Sequence, residues 1–145
     1  MAQVREILKQ KGSNVLTIDP SASVLEAARV MNEHRVGAVV AVEDGRVLGM
    51  FSERDVLQRV VAERRDPADT QVGEVMTTSV VCCTPDTTLD EARGVMRDRR
   101  IRHLPVADAE GHLLGLISIG DLNAQIQAAQ EDTVFLLTEY IHGRV

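Results

Sequence analysis

The chain has 145 residues, the size of one ordinary domain, and a domain of that size buries about two-thirds of the surface its unfolded chain exposes. Its 44% hydrophobic and 26% charged content is that of a soluble globular protein, and no apolar run reaches the roughly 20 residues of a membrane span. A net charge of −6 with only 2% aromatic residues speaks against nucleic acid, which is bound through Lys and Arg and, when single-stranded, through stacking rings.

Taken in chain order, MAQVREILKQKG lacks the apolar core of a signal peptide, which points to the cytoplasm. The sequence then repeats itself. Residues 15–57 lie over residues 80–123, with Pro20 on Pro85, Glu26 on Glu91, Met31 on Met96 and Arg35 on Arg100 at an offset of 65 residues. After Asp44 the second copy gains one residue at a turn, so that Gly45 meets Gly111, Gly49 meets Gly115, Ser52 meets Ser118 and Asp55 meets Asp121. Upstream, VREIL (4–8) matches VGEVM (72–76).

Each copy opens with a short apolar run, Val15 to Ile18 or Val80 to Cys83, read as a strand that ends at a proline. A Ser or Thr next precedes apolar residues at helical spacing: Val24, Ala27, Ala28 and Met31, then Leu89, Ala92, Val95 and Met96. Two aliphatic runs around a turn follow and predict a hairpin, VGAVVAV with RVLGMFS and IRHLPVA with HLLGLIS. A second helix is predicted to start near Asp55 or Asp121. Each unit therefore reads β-α-β-β-α, and one such half, too small to be stable alone, needs its twin. Residues 62–71, charged and holding Pro67, suit a surface linker, so the expected division is 1–70 and 71–145. Ile126, Ala129, Val134, Leu137 and Ile141 predict a long last helix whose surplus apolar face closes over the partner repeat or forms a dimer contact.

These strings resemble the CBS-domain pair, or Bateman module. The resemblance is carried by VGEVMTTSVVCCTPDTTLDEA, RIRHLPVADAEGHLLGLIS, GMFSERD and GLISIGD in order. LKQKG and EYIHG are similar to stand-alone bacterial members that carry one pair and no attached enzyme. The resemblance implies an α+β fold of two tandem repeats packed sheet to sheet with pseudo-twofold symmetry. It also implies a non-catalytic sensor whose cleft takes AMP, ADP, ATP, an NAD-type dinucleotide or S-adenosylmethionine, with no required cofactor and no metal. A homodimer and a separate protein target belong to the same implication.

By that resemblance Asp55 and Asp121 contact ribose hydroxyls, and Ser52 and Ser118 hold ribose or phosphate. A carboxylate accepts from two vicinal hydroxyls at once, which suits the role. Equally, a Ser or Asp where strand gives way to helix can simply cap the helix. Around the base the resemblance sets Thr17, Ile18, Val36, Gly37 and Ala38 for the Asp121 site, and Val81, Cys82, Ile101 and Arg102 for the Asp55 site. Arg102 and His103 are set to reach phosphate, where the first copy has Gly37 and Ala38, and Arg54 is an extra cation that Gly120 cannot match. For each aliphatic residue plain core packing is the alternative, and for Arg54 a solvated surface role.

Catalysis has no motif to stand on: G-x-S-x-G, G-x-x-x-x-G-K-[ST] and G-x-G-x-x-G are all missing. Adjacent Cys82 and Cys83 suit a reducing compartment, and one of them is predicted to face inward along the strand. Two rival readings remain: a dimerisation scaffold with degenerate sites, and a thiol sensor through Cys82 and Cys83.

Overall fold

A computed structural model describes residues 2–12 and 14–128. Helix α1 spans Val4–Lys11, followed by strand β1 (Thr17–Ile18), α2 (Val24–His34) and the strands β2 (Ala38–Glu43) and β3 (Arg46–Ser52). Helix α3 (Glu53–Asp55) continues as a π-helical stretch, Val56–Val61, and α4 is a short turn at Val72–Val75. The second half repeats the order with α5 (Leu89–Arg99), β4 (His103–Ala107), β5 (Leu113–Ser118) and a helix α6 over 119–128. The fold is α+β, as the sequence predicts.

The two halves form matching helices for matching reasons. Ser23 and Thr88 cap α2 and α5 by accepting from the N–H of Glu26 and Glu91, and each helix buries one stripe: Val24, Ala27 and Met31, or Leu89, Ala92 and Met96. Each ends in a left-handed arginine, Arg35 or Arg100, both at φ 55° and ψ 44°. That turn sends the N–H of Val36 and of Ile101 back to the carbonyls of Met31 and Met96, and so fixes where the next strand begins.

Sheet one has the order β1-β2-β3, with β1 parallel to β2; sheet two is the hairpin β4-β5. The predicted strand at Val80 to Cys83 is instead a single bridge, Cys83 to Val106. The cause lies in Pro105. In the first half the Val40 N–H donates to Leu16 O at 3.3 Å, and Pro105, which stands at the equivalent place, has no N–H to give. A second difference concerns the helix after each hairpin, which begins at Glu53 and at Ile119, two residues before the predicted aspartates, because Ser52 and Ser118 end the strands. The linker 62–71 is exposed apart from Thr70 and, at its start, is continuous with the helix.

Two cores lie side by side, one per half. Val39, Ala41 and Phe51 of the first hairpin pack with Ile18, Met31 and Val60, and Leu104, Val106 and Ile117 of the second with Cys83, Met96 and Leu122. The helix that precedes each half completes the other half's core. Val4 and Ile7 of α1 sit in the second core, and Val72 and Val75 of α4 sit in the first. Backbone bonds match the crossing: Val4 and Arg5 donate to Thr87 O and Pro85 O, while Val72 and Gly73 donate to Ala22 O and Pro20 O.

The halves also meet at their hairpin tips. Val47 N–H donates to Gly111 O at 3.1 Å and Leu113 N–H donates to Gly45 O at 2.9 Å, so residues at equivalent positions exchange bonds as a twofold axis requires. The sequence expectation of a long last helix is met through 128, where Ile126 packs on the second core; Ala129, Val134, Leu137 and Ile141 lie outside the described residues.

Candidate functional site

Each hairpin's second strand delivers a serine to the start of a helix, and three residues on stands an aspartate. In the first half the Ser52 Oγ accepts from the Asp55 N–H at 3.3 Å, and Asp55 Oδ2 accepts from the Ser52 N–H at 3.0 Å and from its hydroxyl at 3.2 Å. This is a capping box, with two orphan amides satisfied reciprocally. Asp55 Oδ1 accepts from the Thr77 hydroxyl at 3.1 Å, with Arg59 Nε at 3.8 Å. Arg59 also donates to Val75 O and Met76 O, so the end of α4 and the carboxylate share one cation. Asp55 is 6% exposed.

The second half builds the same frame with different neighbours. Ser118 Oγ accepts from the Asp121 N–H at 3.1 Å, and Asp121 Oδ2 accepts from the Ser118 N–H at 2.8 Å. The remaining partner comes from the far end of the chain, where Lys11 Nζ donates to Asp121 Oδ2 at 2.7 Å and to Leu116 O at 3.0 Å. The Asp121 side chain is 25% exposed and borders a groove of about 260 Å³ between α1 and α6, lined also by Ile7, Gln10, Lys11 and Ala124. Burial pushes the Asp121 carboxyl up, but the Lys11 ammonium and the Ser118 N–H outweigh it and hold the group below its ordinary value.

His103 stands close enough to feel this centre from both halves. Its burial and then the Lys11 charge lower the imidazole below its ordinary value, helped by Arg102 and opposed by Asp121 and by Glu53 of the first half. Arg54 reaches across as well, with Nη1 donating to Arg100 O at 3.4 Å.

The remaining predicted positions are split. Ile18 and Ala38 are buried in the first half, Gly37 is half-buried and Thr17 and Val36 are exposed beside them, and Gly37 O accepts from the Glu53 N–H at 3.0 Å. In the second half Val81, Ile101 and His103 are half-buried, Cys82 and Arg102 are exposed, and Arg102 O accepts from the Ile119 N–H at 2.8 Å. In each half, then, the turn after the first helix is tied to the first amide of the second helix, next to its Ser-x-x-Asp box.

Cys83 is buried and its thiol pushed up to about 12, by burial and then by Cys82; burial also raises the exposed Cys82. Among the described residues one group has metal-ligating atoms within 4.8 Å of one another, Asp108, Glu110 and His112, on the exposed turn between β4 and β5. There Asp108 Oδ1 accepts from the N–H of Glu110 and of His112, which accounts for the cluster as a turn. Lys11, Thr77 and Arg59 are the site-bordering residues that sequence reasoning misses. Their signal is an offset of 110, 22 or 4 residues from the aspartate each one meets.

Residues 4–62 and 72–127 each match the CBS domain. The chain belongs to the CBS-domain family. This CBS pair is 37% identical over 133 residues to the CBS domain-containing protein YhcV of Bacillus subtilis, covering 92% of this chain and 93% of that one. The CBS-domain containing protein ATU1752 from Agrobacterium tumefaciens superimposes on it with a TM-score of 0.79 at 38% identity, covering 86% of this chain and 98% of its own. The CBS domain protein PAE2072 from Pyrobaculum aerophilum, solved complexed with AMP, superimposes with a TM-score of 0.73 at 28% identity over 82% of this chain and 88% of its own. No helix among the described residues of the CBS pair is long and apolar enough to cross a membrane.

Proposed function

We propose that this CBS pair is a non-catalytic regulatory module that binds an adenine nucleotide, AMP, ADP, ATP or an NAD-type ligand, at the Asp121 box. The observation that carries the reading is a part-exposed, ionised carboxylate bonded by Lys11, with His103 within reach of both charges. Asp121 accepts the ribose hydroxyls, Ser118 braces it, and the cations face the phosphate. Thr17, Ile18, Val36, Gly37 and Ala38 of the other half offer aliphatic surface and backbone groups to the base. A relative with this fold has been solved with AMP, which supports the ligand class.

A ligand held by both halves binds one inter-repeat geometry better than another and shifts the population toward it. The signal then passes to a second copy and to a separate protein. Leu57 and Val61, four residues apart and both more than 60% exposed, supply the apolar surface for a homodimer. The raised Cys82 and Cys83 thiols favour the nucleotide reading over a thiol sensor, because the thiolate is the reactive form. Both cysteines are free, which suits the cytoplasm.

The test is a thermal-shift panel on ligand-free protein with AMP, ADP, ATP, NAD and S-adenosylmethionine, run with light scattering to read the oligomer. A ligand at 100 times its Kd adds about 2.7 kcal/mol to the folded state. A shift with adenine ligands that Asp121→Ala removes supports the sensor; no shift with any of them leaves the dimerisation scaffold as the function.

A further inference from the structure

We infer that Lys11 is the phosphate-selecting residue of the Asp121 box and that the Asp55 box takes no ligand. This rests on the nucleotide reading above and goes further by assigning one ligand per chain and giving the first helix a part in choosing it.

The two boxes have the same frame and opposite accessibility. At Asp55 both carboxylate oxygens are engaged, Oδ2 by Ser52 and Oδ1 by Thr77, and Arg59 stands behind them. Three bonds fall on this carboxylate, and with 6% of the residue exposed a ribose hydroxyl has no room to reach the lone pair that is left. At Asp121 the Lys11 and Ser118 bonds both fall on Oδ2, so Oδ1 is the open acceptor, on a side chain that is 25% exposed.

The hydroxyl that bonds the first box is neutral, with Arg59 at 3.8 Å, whereas the group bonded to the second is an ammonium. In the first half Met50 O accepts from the Thr77 N–H at 2.8 Å, and the same Thr77 donates its hydroxyl to Asp55. At the equivalent place in the second half Leu116 O and Asp121 Oδ2 both accept from Lys11 Nζ. One flexible ammonium thus does the work of a fixed backbone amide and a hydroxyl. An ammonium has three donors, and these two bonds leave one for a ligand. The Lys11 side chain is 41% exposed, and its charge reaches His103, so it stands on the solvent side of the same centre. A ligand whose ribose takes Asp121 Oδ1 brings its 5′ substituent among Lys11, His103 and Arg102. An anion gains there, and a neutral nucleoside does not.

Isothermal titration with AMP and with adenosine on the full chain decides the matter, using wild type, Lys11→Met, Asp121→Asn and Asp55→Asn, each shown folded by circular dichroism. The wild type takes one AMP per chain, and Asp121→Asn abolishes binding. Lys11→Met, which keeps the stem and removes the charge, weakens AMP about tenfold and adenosine less than about twofold, so the preference for phosphate collapses. Asp55→Asn melts earlier and still takes one AMP. Two AMP per chain, loss of AMP with folded Asp55→Asn, or AMP and adenosine weakening in parallel in Lys11→Met overturns the inference and leaves the nucleotide reading standing. Silence from both ligands on wild type freed of bound nucleotide overturns the nucleotide reading itself.

Discussion

His103 shows how much of this molecule's behaviour rides on one side chain. Four charged groups act on it: Lys11 from α1, Arg102 beside it, Asp121 from α6 and Glu53 from the first half. With its burial, their balance holds the imidazole below its ordinary value, so the unfolded chain binds the proton more readily than the folded one does. The sign follows. His103's share of stability is fully present above the unfolded value of about 6.5 and is lost as pH falls below it toward the folded value. A phosphate in the cleft reverses the balance by favouring the imidazolium, so binding takes up a proton there. AMP affinity should accordingly rise as pH falls from about 8 through the His103 titration, until protonation of the phosphate near pH 6 opposes it, and His103→Gln should remove that rise. Parallel titrations of both proteins check this; equal slopes would remove His103 from the phosphate site. Of these charges, the family resemblance implies a phosphate role for His103 and Arg102, whereas Lys11 carries no local signal because its partner lies 110 residues away.

Among the elements, α4 and α1 are held against β3 and β5 at two glycines that stand at equivalent positions and tolerate change differently. A Cβ on Gly49 would meet Thr77 O at 2.7 Å and Met76 Sδ at 2.8 Å. Thr77 O cannot retreat freely, since it accepts from the Met50 N–H at 2.9 Å. A Cβ on Gly115 would meet Leu8 Cδ2 at 2.5 Å, closer still, but that is the tip of a side chain able to change rotamer. Gly49→Ala should therefore cost about 1–3 kcal/mol and Gly115→Ala clearly less, a ranking that chemical denaturation of the two variants measures directly. Equal losses would mean that Leu8 is as fixed as a backbone carbonyl. Helices α2 and α5 and both hairpins were legible because amphipathic spacing, the Ser and Thr caps and the turn residues are local signals. The strand predicted at Val80 to Cys83 is a single bridge, since its pairing depends on whether Pro105, 22 positions beyond Cys83, has an amide to give. The π-helical stretch Val56–Val61 left no mark in the apolar pattern.

For the molecule as a whole, the repeat was plain in the sequence and its wiring was not. Matching VREIL to VGEVM shows that both segments do the same job, yet nothing in either string says for which half. Val4 is wholly buried and Ile7 4% exposed in the second core; Val72 and Val75 are at 0% and 2% in the first. Each half's core is therefore closed by the segment that leads into the other half, and the two cannot be pulled apart without opening both. A substitution near the N-terminus should consequently be felt in the C-terminal hairpin. Ile7→Ala removes about 2–5 kcal/mol and Val72→Ala about 1.5–3 kcal/mol, and total stability alone does not tell where the loss falls. Native-state amide exchange does. Ile7→Ala should speed exchange in β4 and β5 more than in β2 and β3, and Val72→Ala should do the reverse, although each residue lies in the segment that leads into the half it spares. Loss of protection in the hairpin that each helix leads into would mean that the leading helices serve their own halves in solution. Uniform loss in both variants would mean that the two cores open as a single unit, with the crossed helices acting as the clasp.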